Sequence, residues 1–356
     1  MIALVKKLCY LIIAVLVCAA VLTVLLLIGL NTTRFYEKLA PLAVGFFFDG
    51  IEVKGVSVQT AKFRYPPRIE LGGVALAFRE RGTPHHVIFD RVEVSRIFDF
   101  LRGEHPLVGR ILMRAYEDHD ADFQNMMVDL TLNRTSSGRH RVDGTGIVGK
   151  MTAGGYLLEG IQFDIRGGDP VFELRIKEAN FYGGQLKADI QFEVAGRQPY
   201  TGTIVLLNIP TANLNQVYHD LERDVQGVVS GDMYVVGDAH SMQNLDVNLT
   251  TRQDMNIRSG LVGWLVVNSQ LEDSLFRMMK EEVRRYPMMQ YYAVDMALQS
   301  EGQHHIRIKM NMKTRKHTFV VNPTIDIQSD GDLMTTVRQL DYGLKHGSLE
   351  NFYVRN

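Results

Sequence analysis

The stretch FYGGQLKADIQFEV, residues 181–194, alternates strictly between polar and apolar side chains after its two glycines. From Gln185 onward the polar positions are separated by apolar ones, which are Leu186, Ala188, Ile190, Phe192 and Val194. Because successive side chains of a β-strand point to opposite faces, this pattern predicts one solvated and one apolar face. At about 3.3 Å per residue the strand is roughly 33 Å long, which is long for a globular protein.

The same alternation recurs along most of the chain, with glycines between many of the runs. Apolar and polar residues alternate within residues 69–78, 92–95, 161–165, 172–176, 245–249 and 306–312. The three- and four-residue spacing of helices is confined to short segments, which are residues 95–102, 211–225, 272–285 and 333–344. The sequence therefore predicts a mainly β, mostly antiparallel sheet with a few short capping helices. Residues 134–152, rich in Gly, Ser and Thr, are predicted to be a loop within it.

The amino terminus has a different composition from the body. Residues 8–30 are uncharged and mostly apolar, and a helix of that length spans about 34 Å, enough to cross a bilayer. We predict a retained anchor over residues 1–34, with a cleaved signal peptide as the alternative, and a juxtamembrane helix over 35–50. Lys6 and Lys7 precede the span, which favours a cytoplasmic amino terminus and an exported body.

Composition and motifs argue against several classes of function. The chain of 356 residues has a net charge of −1, so no basic excess suggests a nucleic-acid partner. The pair His85-His86 would point to opposite faces of a strand, and Asp118, Asp120 and Asp122 lack the glycine and closing glutamate of a calcium loop. No nucleophile–base set is found. We therefore expect no catalytic residues, no metal and no cofactor.

Several segments, taken in their order along the chain, resemble one known family. Residues 181–186 (FYGGQL), followed by a strand, resemble the opening of the repeats in AsmA-like proteins. Residues 227–237 and 257–263 are similar to that family's glycine-bounded strand and turn, and residues 67–74 are similar to its amino-terminal pattern. The similarity extends over roughly residues 51–263, and the predicted anchor also fits the family.

The resemblance implies a single-pass protein of the cell inner membrane, with a periplasmic β-rich domain over residues 51–345 and a tail over 346–356. AsmA-like proteins are related to bridge-like lipid carriers, in which a long curled antiparallel sheet forms an open trough that holds acyl chains. The expected partners are then phospholipid or another acyl lipid and the inner membrane. Other envelope proteins or further copies of the chain are also expected, because about 16 strands at about 4.8 Å extend only about 75 Å. The expected groove lining is the apolar side of three predicted strands: Phe172, Leu174, Ile176, Leu186, Ala188, Ile190, Phe192, Val194, Leu245, Val247 and Leu249.

Two functions remain open from the sequence. An apolar sheet face in water must be covered by another layer or by a ligand, and the predicted helices are too few and short to cover every strand. The first hypothesis is that the groove binds phospholipid and conducts it between membranes of the cell envelope. The alternative is a non-enzymatic assembly or scaffold factor for outer-membrane biogenesis, which acts through protein contacts such as strand addition at a sheet edge.

Overall fold

The computed structural model describes most of the chain from residue 51 onward. The described residues are 33, 51–64, 68–80, 83–118, 121–134, 140–168, 170–193, 198–218, 221–238, 241–251, 253–267, 273–300, 305–314, 318–319, 325–328 and 333–345. The predicted anchor (apart from residue 33), the juxtamembrane helix and the tail lie outside them. Within the described part of the chain, no helix is long and apolar enough to cross a bilayer.

Strands make up most of the described chain. The strands are β1 (Ile51–Arg64), β2 (Arg68–Glu80), β3 (Thr83–Ser95), β4 (Leu107–Asp118), β5 (Ala121–Arg134), β6 (His140–Ala153), β7 (Tyr156–Gly168), β8 (Val171–Phe181), β9 (Gly184–Glu193), β10 (Tyr200–Pro210), β11 (Val225–Gln226), β12 (Val228–Gly237), β13 (Met242–Thr251), β14 (Met255–Arg258), β15 (Met288–Tyr291), β16 (Ala293–Ser300), β17 (His305–Lys313), β18 (Thr318–Phe319) and β19 (Ile325–Gln328). The helices are α1 (Ile97–Arg102), a 3₁₀ helix (Thr211–Gln216), α2 (Leu221–Asp224), α3 (Ser259–Val267), α4 (Asp273–Arg285) and α5 (Leu333–Lys345).

Sixteen of the described strands belong to one large sheet. Its order is β1 to β10 in sequence, then β12, β13, β16, β17 and β18, and β19 also pairs with β17. Strands β11, β14 and β15 form a separate small sheet. The pairings are antiparallel, as between β12 and β13 and between β16 and β17. The prediction of a mainly β protein with one large antiparallel sheet and a few short helices is confirmed.

The chain divides into two compact units. The amino-terminal unit contains the described residues up to Ala179 together with Phe192 and Glu193, and the carboxy-terminal unit contains Asn180–Gln191 and the described residues from 198 onward. In the amino-terminal unit the apolar sheet face is tightly packed, and the rings of Phe89, Phe123 and Phe163 are at most 1% exposed. Side chains of that size stabilise a fold by about 1.5–3 kcal/mol each when they leave water.

The polar face of the amino-terminal unit carries cross-strand ion pairs that agree with the strand register. Glu93 on β3 lies opposite Arg110 on β4, which in turn lies opposite Asp129 on β5. The Arg110 guanidinium donates two hydrogen bonds to Asp129, at 2.6 and 3.0 Å, and this contact raises the pKa of Arg110 above its ordinary value. Because Arg110 is exposed and Asp129 is only half-buried, their pair contributes little to stability, but it favours one register over its neighbours.

Two predicted elements differ from the structure. Residues 140–153 form strand β6, so the loop predicted over residues 134–152 is wrong from residue 140 onward. The helix predicted over residues 211–225 is instead a 3₁₀ helix, the single-turn α2 and the first residue of β11. By contrast, α1, α4 and α5 occupy the positions that the helical spacing predicts.

Candidate functional site

The structure places most of the predicted groove residues in the protein interior. Those that are at most 8% exposed are Phe172, Leu174, Ile176, Leu186, Ala188, Ile190, Phe192 and Leu245. Val247 and Leu249 are only half-buried, and Val194 lies outside the described residues. Strand β9 shows the predicted alternation, with buried positions at every second residue from Gly184 to Phe192.

Within the amino-terminal unit, the predicted lining is closed by its own packing. The ring of Phe172 stacks on the ring of Phe192, with centroids 5.9 Å apart and planes at 16°. Leu174 and Ile176 on β8 are 1% and 8% exposed. These residues form a packed core in the structure, so a ligand would reach them only if the core opened.

One part of the apolar face is less buried in the carboxy-terminal unit, whereas Leu186, Ala188, Ile190 and Leu245 of this unit are buried. Directly paired residues of antiparallel strands project from the same face, so the register identifies the rows of side chains that cross this part of the sheet. One row runs from Ile204 on β10 through Met233, Val247, Leu298 and Ile308. The next row contains Leu206, Gly231, Leu249, Met296 and Met310. Apart from Ile204, which is buried, all of these positions are half-buried. We call the eight half-buried side chains the apolar patch: Leu206, Met233, Val247, Leu249, Met296, Leu298, Ile308 and Met310.

The opposite face of the same strands is polar, so the patch is not an arbitrary exposed surface. Asn248, next to Val247 in sequence, is exposed and donates a hydrogen bond to Asp232 at 3.2 Å. The Thr250 hydroxyl donates to Asp295 on the neighbouring strand at 2.8 Å. These strands therefore have one face whose polar groups bond to each other, and on the other face the patch offers only hydrocarbon and thioether groups.

The dimensions of the patch suit an acyl chain. Both rows cross the same five adjacent strands, β10, β12, β13, β16 and β17. Four intervals at about 4.8 Å give a length of about 19 Å. The hydrocarbon core of a bilayer is about 30 Å thick, so the chains of one leaflet extend about 15 Å. Each row is therefore about as long as one acyl chain.

Methionine is prominent in the patch, where it contributes Met233, Met296 and Met310. The unbranched, polarisable methionine side chain adapts to irregular apolar partners and is frequent on surfaces that bind varied ligands. A wall of this composition can accommodate acyl chains of different length and unsaturation without a fixed shape.

One end of the patch adjoins a packed core that belongs to the same unit. The core consists of Met255, Ile257, Val262, Met289, Tyr291, Val294 and Met312. Val294 and Met312 are paired residues of β16 and β17, one step beyond Met296 and Met310 on the same face. Met278 and Val283 of α4 pack against this core, and so does Met310 of the patch. The small sheet and α4 thus close the apolar face at this end.

A buried hydroxyl lies on the same face near the start of β10. Tyr200 is 7% exposed, and its hydroxyl has no hydrogen-bond partner among the described residues. Burial, with a smaller contribution from Asp238, raises the pKa of Tyr200 above its ordinary value. The phenol therefore stays protonated and remains a hydrogen-bond donor.

The described residues contain no group of three or more His, Cys, Asp or Glu side chains that could hold a metal ion. Asp118 and Asp122 lie on different strands, because Asp118 pairs with Ala121 across the β4–β5 pairing, and residue 120 lies outside the described part. The only surface on these strands with an evident ligand chemistry is the apolar patch, within the described residues.

The sequence analysis missed part of the patch. It identified Val247 and Leu249 but not Met296 and Leu298, because strand β16 was not predicted. The signal was present, since Val294, Met296 and Leu298 alternate with Asp295, Ala297 and Gln299. Ile308 and Met310 were recognised as alternating residues, but only the register joins them to Val247 and Leu249.

Comparisons of the chain with known protein families, with curated proteins and with solved structures find no match. The resemblance of residues 51–263 to AsmA-like proteins therefore stays a prediction, which depends on the order of the short segments that carry it.

Proposed function

We propose that the protein binds phospholipid by its acyl tails at the apolar patch and conducts it between membranes of the cell envelope. The observation that supports this proposal is the half-buried apolar row from Met233 to Ile308. Its three strand intervals give about 14 Å, close to the length of the acyl chains of one leaflet, and the opposite face of the strands is polar. Each methylene that leaves water contributes about 0.8 kcal/mol, so a tail is held strongly without directional bonds. A lipid can then slide along the face without breaking any single strong contact.

The proposed function also requires a location close to a membrane. An AsmA-like chain with its residues 1–34 in the inner membrane would hold the β-rich body in the periplasm, beside a supply of phospholipid. Such a body has no cysteine, because Cys9 and Cys18 both lie in the predicted anchor. The fold would then depend on burial and strand pairing and would need no oxidative step in the periplasm.

Site-specific photo-crosslinking in intact membranes tests the proposal. A photoreactive phenylalanine analogue replaces Val247 on the patch in the full chain, and a matched variant carries it at Asn248 on the polar face. We expect the Val247 variant to crosslink phospholipid, identified by mass spectrometry, and the Asn248 variant to crosslink at least about tenfold less. Crosslinking of a protein at Val247 would support the scaffold function instead, and equal lipid crosslinking at both positions would contradict the proposal.

A further inference from the structure

Helix α4 presents a basic face to solvent. Of its described side chains, the exposed ones are Arg277, Lys280, Glu281, Arg284 and Arg285. At 100° per residue they fall within one arc of the helix, and Met278 and Val283 lie outside it and pack on the core. Four basic groups and one acidic group on this face form a local positive cluster in a chain whose net charge is −1.

An exposed aromatic residue follows this helix directly. Tyr286 comes immediately after Arg284 and Arg285, and it is 49% exposed. Its position is fixed by the Ser259 hydroxyl, which donates a hydrogen bond to the Tyr286 carbonyl oxygen. An exposed tyrosine that follows basic residues in the sequence suits the headgroup region of a bilayer, where tyrosine rings have one apolar and one hydrated side.

We propose that the exposed face of α4, with Tyr286, is a docking surface for an anionic bilayer. The basic groups attract the phosphates of anionic lipids, and the core contacts of Met278 and Val283 hold the helix in place when it meets the surface. Docking brings a membrane to the end of the apolar face, because the core under α4 contains Val294 and Met312, one step beyond the patch.

The preference for a bilayer over an acidic protein rests on the proposed function. A lipid that leaves the patch needs a membrane close to one end of the apolar face, and α4 covers one such end. The phenol of Tyr286 adds an amphipathic group that a bilayer interface accommodates at little cost.

A vesicle-tethering assay tests the docking surface on the full chain. The chain is reconstituted in phosphatidylcholine proteoliposomes, and fluorescent acceptor vesicles contain phosphatidylcholine alone or with phosphatidylglycerol. We expect tethering of the phosphatidylglycerol vesicles that weakens as salt is raised. The triple substitution Arg277→Gln, Arg284→Gln and Arg285→Gln should reduce tethering about 100-fold, at about fivefold per basic group.

A control removes the same charge elsewhere. Lys150→Gln, Arg166→Gln and Lys187→Gln together change exposed basic residues on β6, β7 and β9, and this variant should tether like the wild type. Equal tethering by the α4 variant and the wild type, or an equal loss in the control, would overturn the docking surface. Phospholipid crosslinking at Val247 should persist in the α4 variant, so a failed docking surface and a failed lipid patch give different results.

Discussion

At the scale of single residues, the face that carries the patch also contains a hydroxyl, that of Tyr200, with no hydrogen-bond partner in the described part of the chain. The Tyr200 hydroxyl lies where a side chain on Gly237 would otherwise be, in surroundings that raise the pKa of Tyr200. A buried hydroxyl without a hydrogen bond lowers stability, by about 1–3 kcal/mol for a typical group. Such a group in a native protein calls for a physical explanation, such as local strain, a functional role or a bound water or ion.

Tyr200→Phe should therefore leave the protein at least as stable as the wild type at neutral pH. The substitution should also change the alkaline limb of the stability profile. Because the folded pKa of Tyr200 is raised, its contribution is complete below the unfolded pKa of about 10 and is lost as the pH rises towards the folded value. The wild type should lose stability above about pH 10 more steeply than the phenylalanine variant, as measured by urea unfolding of the full chain in detergent. Parallel profiles would contradict the assignment.

At the scale of elements, glycine determines the packing of strand β6. A side chain at Gly146 would collide with the ring of Phe163, which lies opposite it on β7 and is 1% exposed. At Gly144 it would collide with Leu130 and Ile165, from the strands on either side. On its apolar face β6 thus has no side chains at positions 144 and 146, and side chains of the neighbouring strands fill this space.

Gly146→Val should destabilise the protein by about 1–3 kcal/mol, because the added methyl groups overpack a filled site. Gly55→Val on β1 is the matched control, since no atom lies within 4 Å of the position of its added Cβ. The shift in urea midpoint of the full chain measures both variants. If the Gly146 variant were as stable as the Gly55 variant, the packing of Phe163 would not require glycine at position 146.

The same strand explains which elements the sequence could predict. β9 was predictable because Leu186, Ala188 and Ile190 alternate without interruption, and the structure buries all three. β6 was not predictable, because glycine at positions 144 and 146 interrupts the apolar alternation of its own sequence. The apolar groups at these positions come from other strands, for example from Phe163 and Leu130. The prediction of one helix over residues 211–225 was wrong in detail, because a stripe of Leu214, Val217 and Leu221 fits both a continuous helix and two separate turns.

The candidate site was predictable only in part, for a related reason. Alternation showed that Leu186 and Val247 both belong to an apolar face, but it could not show that one is 6% exposed and the other half-buried. That difference depends on which side chains from distant strands lie over each position. The register of β13, β16 and β17 supplies this information. It adds Met296 and Leu298 to the patch, for which the sequence had predicted Val247 and Leu249.

At the scale of the whole molecule, the same alternation of polar and apolar residues has a different result in each of the two units. In the amino-terminal unit the apolar face is buried, as Phe89 and Phe163 show. In the carboxy-terminal unit the middle of the face stays half-buried, and α4 with the small sheet closes one end of it. We infer that the first arrangement provides stability and the second provides a surface for ligand.

The most direct test of lipid binding at the apolar patch is the number of phospholipid molecules that the purified full chain retains, measured by mass spectrometry. Val247→Asp with Leu298→Asp introduces two charges into the patch, and Asn248→Asp with Gln299→Asp introduces the same charges on the polar face of the same strands. We expect the first variant to retain about tenfold less lipid than the wild type and the second to retain as much, because an acyl chain that covers a carboxylate removes it from water at a high cost in free energy. Equal lipid retention in all three proteins would contradict a lipid-binding patch.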